Sequence, residues 1–240
     1  MQKLFVENIN DEKIILDGES ARHIAKSLRM RVGDVICVTD GGGDDYGCQI
    51  EEITKDEVVL KVCYKQACES EPSCRVTIYQ GVPKSSKMED IIQKCVELGV
   101  CKIVPTLTKR CVSRPDDKAA GKKNQRYQKI ALEAAQQSGR GIVPKIENMK
   151  TLSQAIAEDK SDVKIVFYEG GGEKLADIVK PDTESVSVFI GPEGGFEQEE
   201  VEQIEASGGV RATLGKRILR TQTAPVAALT AIMLLTGNLE

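Results

Sequence analysis

The sequence is poor in several residues on which common catalytic sites depend. It has one histidine, His23, and its eight cysteines include no CxxC pair. A serine-histidine-aspartate triad needs a histidine base beside its nucleophile, and His23 lies in a strand-rich N-terminal part that we interpret as a separate small domain. Zinc sites need clustered cysteine or histidine ligands. The sequence therefore indicates neither such a hydrolase nor a metal site, and we interpret the cysteines as reduced thiols.

Long apolar segments and the usual nucleotide-binding motifs are also missing. No apolar run approaches the length needed to cross a bilayer, and the N-terminus carries charge too early for a signal peptide. The string GPEGGFEQ lacks the lysine and the hydroxyl of a P-loop, and no GxGxxG opens a helix. We therefore expect a cytoplasmic protein with no membrane partner. The sequence contains neither of these two nucleotide-binding motifs.

Charge is distributed unevenly along the chain. The net charge is −4, but residues 101–150 carry twelve Lys or Arg against four Asp or Glu, whereas residues 151–210 carry four Lys against fourteen acids. A basic segment on an acidic protein can still bind phosphate groups, because the local field governs the encounter. A solvated basic helix is the alternative explanation.

The pattern of short strands changes to alternating strands and helices near residue 70. Residues 1–65 contain five strand-like runs and one short helix, and the stretch Gln66–Ser73 is polar, as a linker would be. Beyond it, alternating strands and helices predict a mainly parallel α/β sheet with helices on both faces. We therefore predict one domain over 1–70 and a second over 74–240.

Three predicted strands of the C-terminal third end in glycine-bearing turns. These turns are YEGGG (168–172), GPEGGF (191–196) and LGKR (214–217). Ligands of parallel α/β sheets bind at the carboxyl ends of the strands, and glycine lets the backbone approach them closely. The three turns predict one binding cleft. The final segment, TAPVAALTAIMLL, is apolar nearly all round, which predicts a helix buried within its domain or against another subunit.

Several strings in this order resemble the RsmE family of the SPOUT superfamily, which methylates N3 of uridine 1498 in bacterial 16S ribosomal RNA. The resemblance covers nearly the whole chain. It is carried by HIAKSLRMRVGD (23–34), KMEDIIQKCVELGV (87–100), EAAQQSGR (133–140), FIGPEGGF (189–196) and LGKRILRTQTA (214–224).

The resemblance implies a fold, a cofactor and an assembly. It implies a PUA-like β-barrel followed by a SPOUT domain whose C-terminal segment forms a trefoil knot. S-adenosyl-L-methionine is the implied cofactor, the 16S ribosomal RNA or the assembled small ribosomal subunit is the implied substrate, and a homodimer is the implied assembly. The implied cofactor-binding residues are Glu169, Gly170, Ile190, Gly191, Pro192, Glu193, Gly194, Leu214, Gly215, Ile218, Leu219 and Arg220.

Basic residues are the candidates for contact with RNA. Arg140 and, second, Arg220 are expected to stabilise negative charge on the reacting base or to grip phosphate; for each, an ion pair is the alternative. The residues expected to bind RNA phosphates are Arg22, Lys26, Arg29, Arg31, Lys109, Arg110, Lys123 and Arg126.

One position departs from the family pattern and leaves alternatives open. Gln222 stands where similar proteins usually have Glu, so a carboxylate is lost while an acceptor of the same length is kept. The alternatives to an N3-uridine methyltransferase are a SPOUT enzyme acting on another RNA nucleoside and a non-catalytic ribosomal-RNA-binding protein. Measuring methyl incorporation into RNA distinguishes the non-catalytic RNA-binding protein from either methyltransferase.

Overall fold

The computed structural model describes residues 3–6, 9 and 12–239. Contacts within the chain divide it into two units. Unit 1 comprises Met1–Glu71 and Ala135–Val143, and unit 2 comprises Pro72–Ala134 and Pro144–Glu240. The sequence indicated a change near residue 70, but it gave no sign that a short segment from the middle of the chain belongs with unit 1.

Unit 1 is built on a five-stranded sheet with the strand order β1-β3-β4-β5-β2. Only β1 and β3 run parallel, and the other neighbouring strands are antiparallel. Its elements are β1 (Lys3–Phe5), β2 (Lys13–Asp17), α1 (Gly18–Arg22) continued by a π-helical turn (His23–Ser27), β3 (Val35–Thr39), β4 (Asp44–Ile53) and β5 (Glu57–Ala67).

Alternating side chains give this sheet one buried face. Ile14 and Leu16 of β2 are buried while their neighbours in the strand are exposed, and Ile24 of the π-helical turn packs into the same core. The run Asp40–Gly43 forms the hairpin loop between β3 and β4, with Gly41 and Gly43 at positive φ. The one short helix predicted for residues 1–65 is confirmed; it lies between β2 and β3, and one turn of it is π-helical.

Unit 2 contains an eight-stranded sheet in which every described pairing is parallel. The strand order is β11-β13-β10-β12-β6-β7-β8, and β9 also pairs with β7. Its elements are β6 (Arg75–Gly81), α2 (Lys87–Glu97), β7 (Lys102–Leu107), α3 (Asp117–Ser138, whose last four residues group with unit 1), β8 (Lys145–Ile146), β9 (Lys150–Thr151), α4 (Leu152–Glu158), β10 (Val163–Phe167), β11 (Glu173–Lys174), α5 (Leu175–Ile178), β12 (Ser185–Ile190), α6 (Gln198–Ala206), β13 (Gly209–Thr213) and α7 (Ala224–Leu235).

Helices cover both faces of this sheet, as a buried parallel sheet requires. On one face α4 and α6 pack over Val104 and Val166, where Tyr79 and Phe189 stack with their ring centroids 4.5 Å apart. The other face of the sheet carries the alternate strand residues, such as Val188, which are also buried. Helix α7 contacts β6, β12 and α2. The predicted α/β class with a mainly parallel sheet is confirmed. The trefoil knot stays a prediction.

The terminal helix α7 buries one side within unit 2. Pro225 occupies its first turn, where a missing N–H costs no hydrogen bond. Leu229 and Ile232 are fully buried, whereas the side chain of Leu234 is 52% exposed. Helix α7 is therefore apolar on nearly all sides, but part of its apolar surface stays exposed. Among the described residues, no helix has the length and apolar character needed to cross a membrane.

Candidate active site

Three neighbouring strands of unit 2 end at one cavity of about 670 Å³. In the sheet β10 lies between β13 and β12, and because all three are parallel, their carboxyl ends and the turns that follow lie at the same edge. The cavity is lined by Lys87, Phe167, Tyr168, Glu169, Gly171, Ile190, Gly191, Pro192, Glu193, Gly195, Phe196, Ala212, Thr213, Leu214, Gly215, Lys216, Arg217, Ile218, Leu219, Arg220, Thr221 and Ala224.

The structure brings most of the expected cofactor-binding residues together at this cavity. All of them line it except Gly170 and Gly194, whose neighbours Gly171 and Gly195 do. Several lining residues escaped the sequence reasoning. Those within or beside the quoted motifs, such as Lys216, could have been found there. Lys87 also belongs to a quoted motif, but it lies at the start of α2, and only the fold places it near the glycine turns.

The turn after β12 leaves no space for a side chain at its first glycine. A Cβ built on Gly191 would lie 2.9 Å from the backbone of Gly195, closer than such atoms approach in proteins. Gly195 donates its N–H to the carbonyl of Pro192 at 2.9 Å and has a φ of +68°, which favours glycine. The sequence GPEGG therefore specifies a tight turn whose backbone forms part of the cavity wall.

A buried polar network ties the segment after β13 to this turn. Thr221 donates its hydroxyl to the carbonyl of Gly191 at 2.8 Å, and the Gln80 amide donates to the Thr221 oxygen at 3.0 Å. Gln80 and Thr221 are both buried. Since buried hydrogen bonds of this kind fix geometry, the network holds Thr221, at the end of this segment, against the turn after β12.

Glu193 links the glycine turn to the start of α2. Its carboxylate accepts hydrogen bonds from Lys87 Nζ at 2.7 Å and from the backbone N–H of Lys84 at 3.1 Å. Partial burial alone would raise the pKa of Glu193, but these donors outweigh it and hold the pKa below its ordinary value. Glu193 is therefore a carboxylate at neutral pH, and its charge at the cavity is balanced by Lys87.

A second set of contacts holds the far side of the same turn. Arg110 donates from Nη1 to the carbonyl of Gly194 at 2.7 Å and from Nε to Glu197 Oε1 at 2.9 Å. The buried carboxylate of Glu200 accepts the backbone N–H groups of Lys109 at 2.8 Å and of Glu197 at 2.9 Å. These contacts fix the loop after β7 to the turn that forms the cavity wall, so they hold that wall in place.

Arg220 and the residues just before it present positive charge to the cavity. Arg220, Lys216 and Arg217 line it and are exposed. Gly215, with a φ of +98°, allows the turn in which its N–H is donated to the Thr213 hydroxyl at 3.1 Å. Arg220 can therefore reach a group that enters the cavity.

Arg140, the first choice for a catalytic arginine, lies in unit 1 and forms a buried ion pair. It donates from Nε to Glu71 Oε1 at 3.0 Å and from Nη2 to Oε2 at 2.7 Å, and only 5% of its side chain is exposed. Glu71 Oε1 also accepts the N–H groups of Gly141 at 2.8 Å and Ile142 at 3.1 Å. This geometry favours the ion-pair alternative, since the guanidinium is already occupied by a carboxylate.

The residues expected to bind RNA fall into two groups. Four in unit 1 are exposed: Arg22, Lys26, Arg29 and Arg31. In unit 2, Lys109 pairs with Glu199, Arg110 with Glu197, and Arg126 with Glu89, while Lys123 is half-buried. Among the described residues, the four unit 1 cations form no ion pair, whereas three in unit 2 would first have to break an ion pair with a carboxylate.

Comparison with known proteins assigns the chain to a family. Residues 69–233 match the model of the RNA methyltransferase domain, and residues 16–63 match that of the RNA methyltransferase PUA domain. The chain is 36% identical to the ribosomal RNA small subunit methyltransferase E of Bacillus subtilis, with 97% of this chain and 96% of the relative covered. It is 32% identical to the protein of that name from Mesomycoplasma hyopneumoniae, with 96% and 98% covered.

A solved structure shows the same fold over the full length. The crystal structure of the ribosomal RNA small subunit methyltransferase E of Neisseria gonorrhoeae, bound to S-adenosyl methionine, matches with a TM-score of 0.89 and 30% identity. The match covers 98% of each chain. Family models, full-length relatives and fold agree with the motifs that converge on the cavity, and the chain belongs to the ribosomal RNA small subunit methyltransferase E (RsmE) family.

Proposed function

We propose that this protein transfers the methyl group of S-adenosyl-L-methionine to N3 of a uridine in 16S ribosomal RNA, at position 1498. The observation that carries the proposal is the convergence of three glycine-bearing strand ends on one cavity in a chain of the RsmE family. The activity is expected in the cytoplasm, on free RNA or on the assembled small subunit.

The cavity suits a ligand of this size and chemistry. A volume of about 670 Å³ lies within the range of small-ligand sites, and the walls combine apolar side chains such as Phe196 and Leu214 with carboxylates. Glu169 would face the cationic groups of the cofactor, and the backbone of the glycine turn would hold the cofactor closely. S-adenosylmethionine supplies a methyl carbon activated by a positively charged sulfur.

The residues of the chain position the reactants and stabilise charge. Methyl transfer is an in-line displacement, so its rate depends on how the donor and the acceptor are held. N3 lies on the base-pairing edge of uracil, so the base must be unpaired before it can enter the cavity. N3 would give up its proton to solvent water and form a bond to the methyl carbon as the carbon–sulfur bond breaks, which leaves a neutral thioether. Negative charge spreads onto the uracil oxygens as the proton leaves, and Arg220 at the cavity is our candidate to stabilise it.

Unit 1 is proposed to bind the RNA substrate as a PUA-like domain. Its exposed cations Arg22, Lys26, Arg29 and Arg31 lie on the helix after β2 and on the loop that follows. Charges placed this way attract phosphate groups without reading the base sequence. The domains proposed on this basis are 1–70 for RNA binding and 74–240 for methyl transfer.

The half-covered helix α7 supports the proposal of a homodimer. Leu234 is 52% exposed, and Val226, Ala227 and Leu235 on the same helix are only half-buried. An apolar helix face that stays in contact with water favours association. A second copy of the chain is the partner that the family resemblance implies.

Nucleoside mass spectrometry tests the function directly. Small-subunit RNA from cells with and without the gene is digested, and the 3-methyluridine content is measured. Loss of 3-methyluridine from the position equivalent to 1498 is expected, with restoration by the wild-type gene. Loss of a different methylated nucleoside would favour another RNA base as the substrate. An unchanged profile would favour the non-catalytic RNA-binding alternative.

A further inference from the structure

The turn after β13 presents two neighbouring cations at the cavity. Lys216 and Arg217 line the cavity and are exposed, and neither side chain has a hydrogen-bond or ion-pair partner among the described residues. The turn itself is fixed, because the Thr213 hydroxyl bonds both the N–H and the carbonyl of Gly215. The backbone of the turn is thus fixed by these hydrogen bonds. The side chains of Lys216 and Arg217 remain available to bind a ligand.

Most other basic side chains near the site are already neutralised. Arg110 is held by Glu197 and Gly194, and Lys109 by Glu199. Lys87, which also lines the cavity, is paired with Glu193. A cation that is paired with a carboxylate must lose that partner before it can bind a phosphate, whereas an unpaired exposed cation exchanges only water and counterions. Positive charge is therefore most available at Lys216 and Arg217, besides Arg220.

We propose that Lys216 and Arg217 bind the phosphodiester backbone of the single-stranded RNA next to the nucleotide that is methylated. This inference rests on the proposed function and adds a phosphate site to it. The arginine guanidinium matches two phosphate oxygens at once, and the lysine ammonium adds a compact charge. Because Arg220 follows closely along the same segment, anchored phosphates place the unpaired base near it.

The test compares two double variants of the full-length protein. Lys216→Gln/Arg217→Gln removes the proposed site, and Lys94→Gln/Lys160→Gln removes two exposed charges of unit 2 that do not line the cavity. Binding of a 16S ribosomal RNA fragment containing the target uridine is measured by fluorescence anisotropy over a range of salt concentrations. Binding of S-adenosylhomocysteine is measured by calorimetry.

The expected result is a specific loss of RNA affinity. A single-stranded phosphate contact contributes about 0.7 to the slope of log K against log salt, so losing two contacts lowers the slope by about 1.4 and weakens binding about tenfold near 0.15 M salt. The control variant should bind RNA as the wild type does, and both should bind S-adenosylhomocysteine normally.

Other outcomes overturn the inference in distinguishable ways. An unchanged RNA affinity and salt slope in the Lys216→Gln/Arg217→Gln variant would overturn it. Loss of S-adenosylhomocysteine binding with normal RNA binding would assign the two cations to the cofactor's carboxylate instead. Wild-type protein that binds neither RNA nor S-adenosylhomocysteine would overturn the proposed function itself, and the phosphate site with it.

Discussion

The change Arg140→Ala distinguishes a structural role of this arginine from a catalytic one. In the wild type, Arg140 and Glu71 form a two-point ion pair in unit 1, with side chains 5% and 16% exposed. Removing the guanidinium leaves Glu71 Oε2 without the donor that stands 2.7 Å away, while Oε1 keeps the N–H groups of Gly141 and Ile142. Breaking a buried pair costs about 3 to 5 kcal/mol. Because Glu71 keeps two donors and some contact with water, we expect about 3 kcal/mol.

Hydrogen exchange measures this cost at the affected backbone. Gly141 and Ile142 donate to Glu71, so opening of their loop exposes both amides. A loss of about 3 kcal/mol corresponds to an increase of about a hundredfold in the opening constant of unit 1, read from exchange rates of residues 139–143. Arg126→Ala is the matched control, because its pair with Glu89 is 67% and 23% exposed. That change is expected to cost about 0.5 kcal/mol or less.

The pH dependence of the same effect has a defined sign. Burial would raise the pKa of Glu71, but Arg140 and the two backbone N–H groups outweigh it, so the pKa lies below its ordinary value of 4.5. A carboxylate with a lowered folded-state pKa stabilises the protein above its unfolded-state pKa, and this contribution is lost as the pH falls through the folded-state pKa. The stability difference between wild type and Arg140→Ala should therefore be full at neutral pH and narrow below about pH 4.5.

A methylation assay separates the two roles of Arg140. If the arginine is structural, Arg140→Lys and Arg140→Ala should lower methylation only as far as they open unit 1. If Arg140→Ala instead leaves exchange unchanged and abolishes the single-turnover rate at saturating RNA, the reasoning from the ion pair is refuted, and Arg140 acts on the reacting base.

Three further changes test the cavity, the dimer and the family substitution. Gly191→Ala places a Cβ 2.9 Å from the backbone of Gly195, so the turn must shift. Calorimetry should then show about tenfold weaker binding of S-adenosylhomocysteine. The control Gly121→Ala, whose added Cβ has no atom within 4 Å, should leave this binding unchanged. Leu234→Glu adds charge to an exposed position of α7 and should yield a folded monomer by light scattering, whereas a persistent dimer would exclude this face as the interface. Gln222→Glu restores the carboxylate usual in the family; a large gain in single-turnover rate would give that carboxylate a chemical role, and an unchanged rate would make it structural.

The positions of the glycine turns could be predicted because they depend on local pattern and on one general rule. Each predicted strand of the C-terminal third ended in glycine, and parallel strands bring their carboxyl ends to one edge. Lys87 and Gln80 could not be found in this way. Lys87 reaches the cavity from the start of α2, and Gln80 reaches Thr221 from β6 across 141 positions of sequence. Such contacts depend on strand order, which no local pattern specifies.

The partner of Arg140 could not be identified from the sequence for a related reason. Its partner Glu71 is 69 positions away, in a stretch that reads as a polar linker. A sequence shows that an arginine is present but not whether a carboxylate already occupies it. The same holds for the segment Ala135–Val143, which groups with unit 1: Glu71 binds its backbone as well as Arg140.

The uneven charge distribution has a different meaning once the fold is known. The basic residues of 101–150 suggested a surface for phosphate, yet Lys109 and Arg110 pair with Glu199 and Glu197 of the acidic segment that follows. The two segments partly neutralise each other, and they do so where Arg110 also holds the carbonyl of Gly194. Opposite charges separated along the chain thus serve to fix the turn that forms the cavity wall. Among the described residues, unpaired positive charge remains at the cavity itself, on Lys216 and Arg217 after β13, where we propose that the RNA strand approaches.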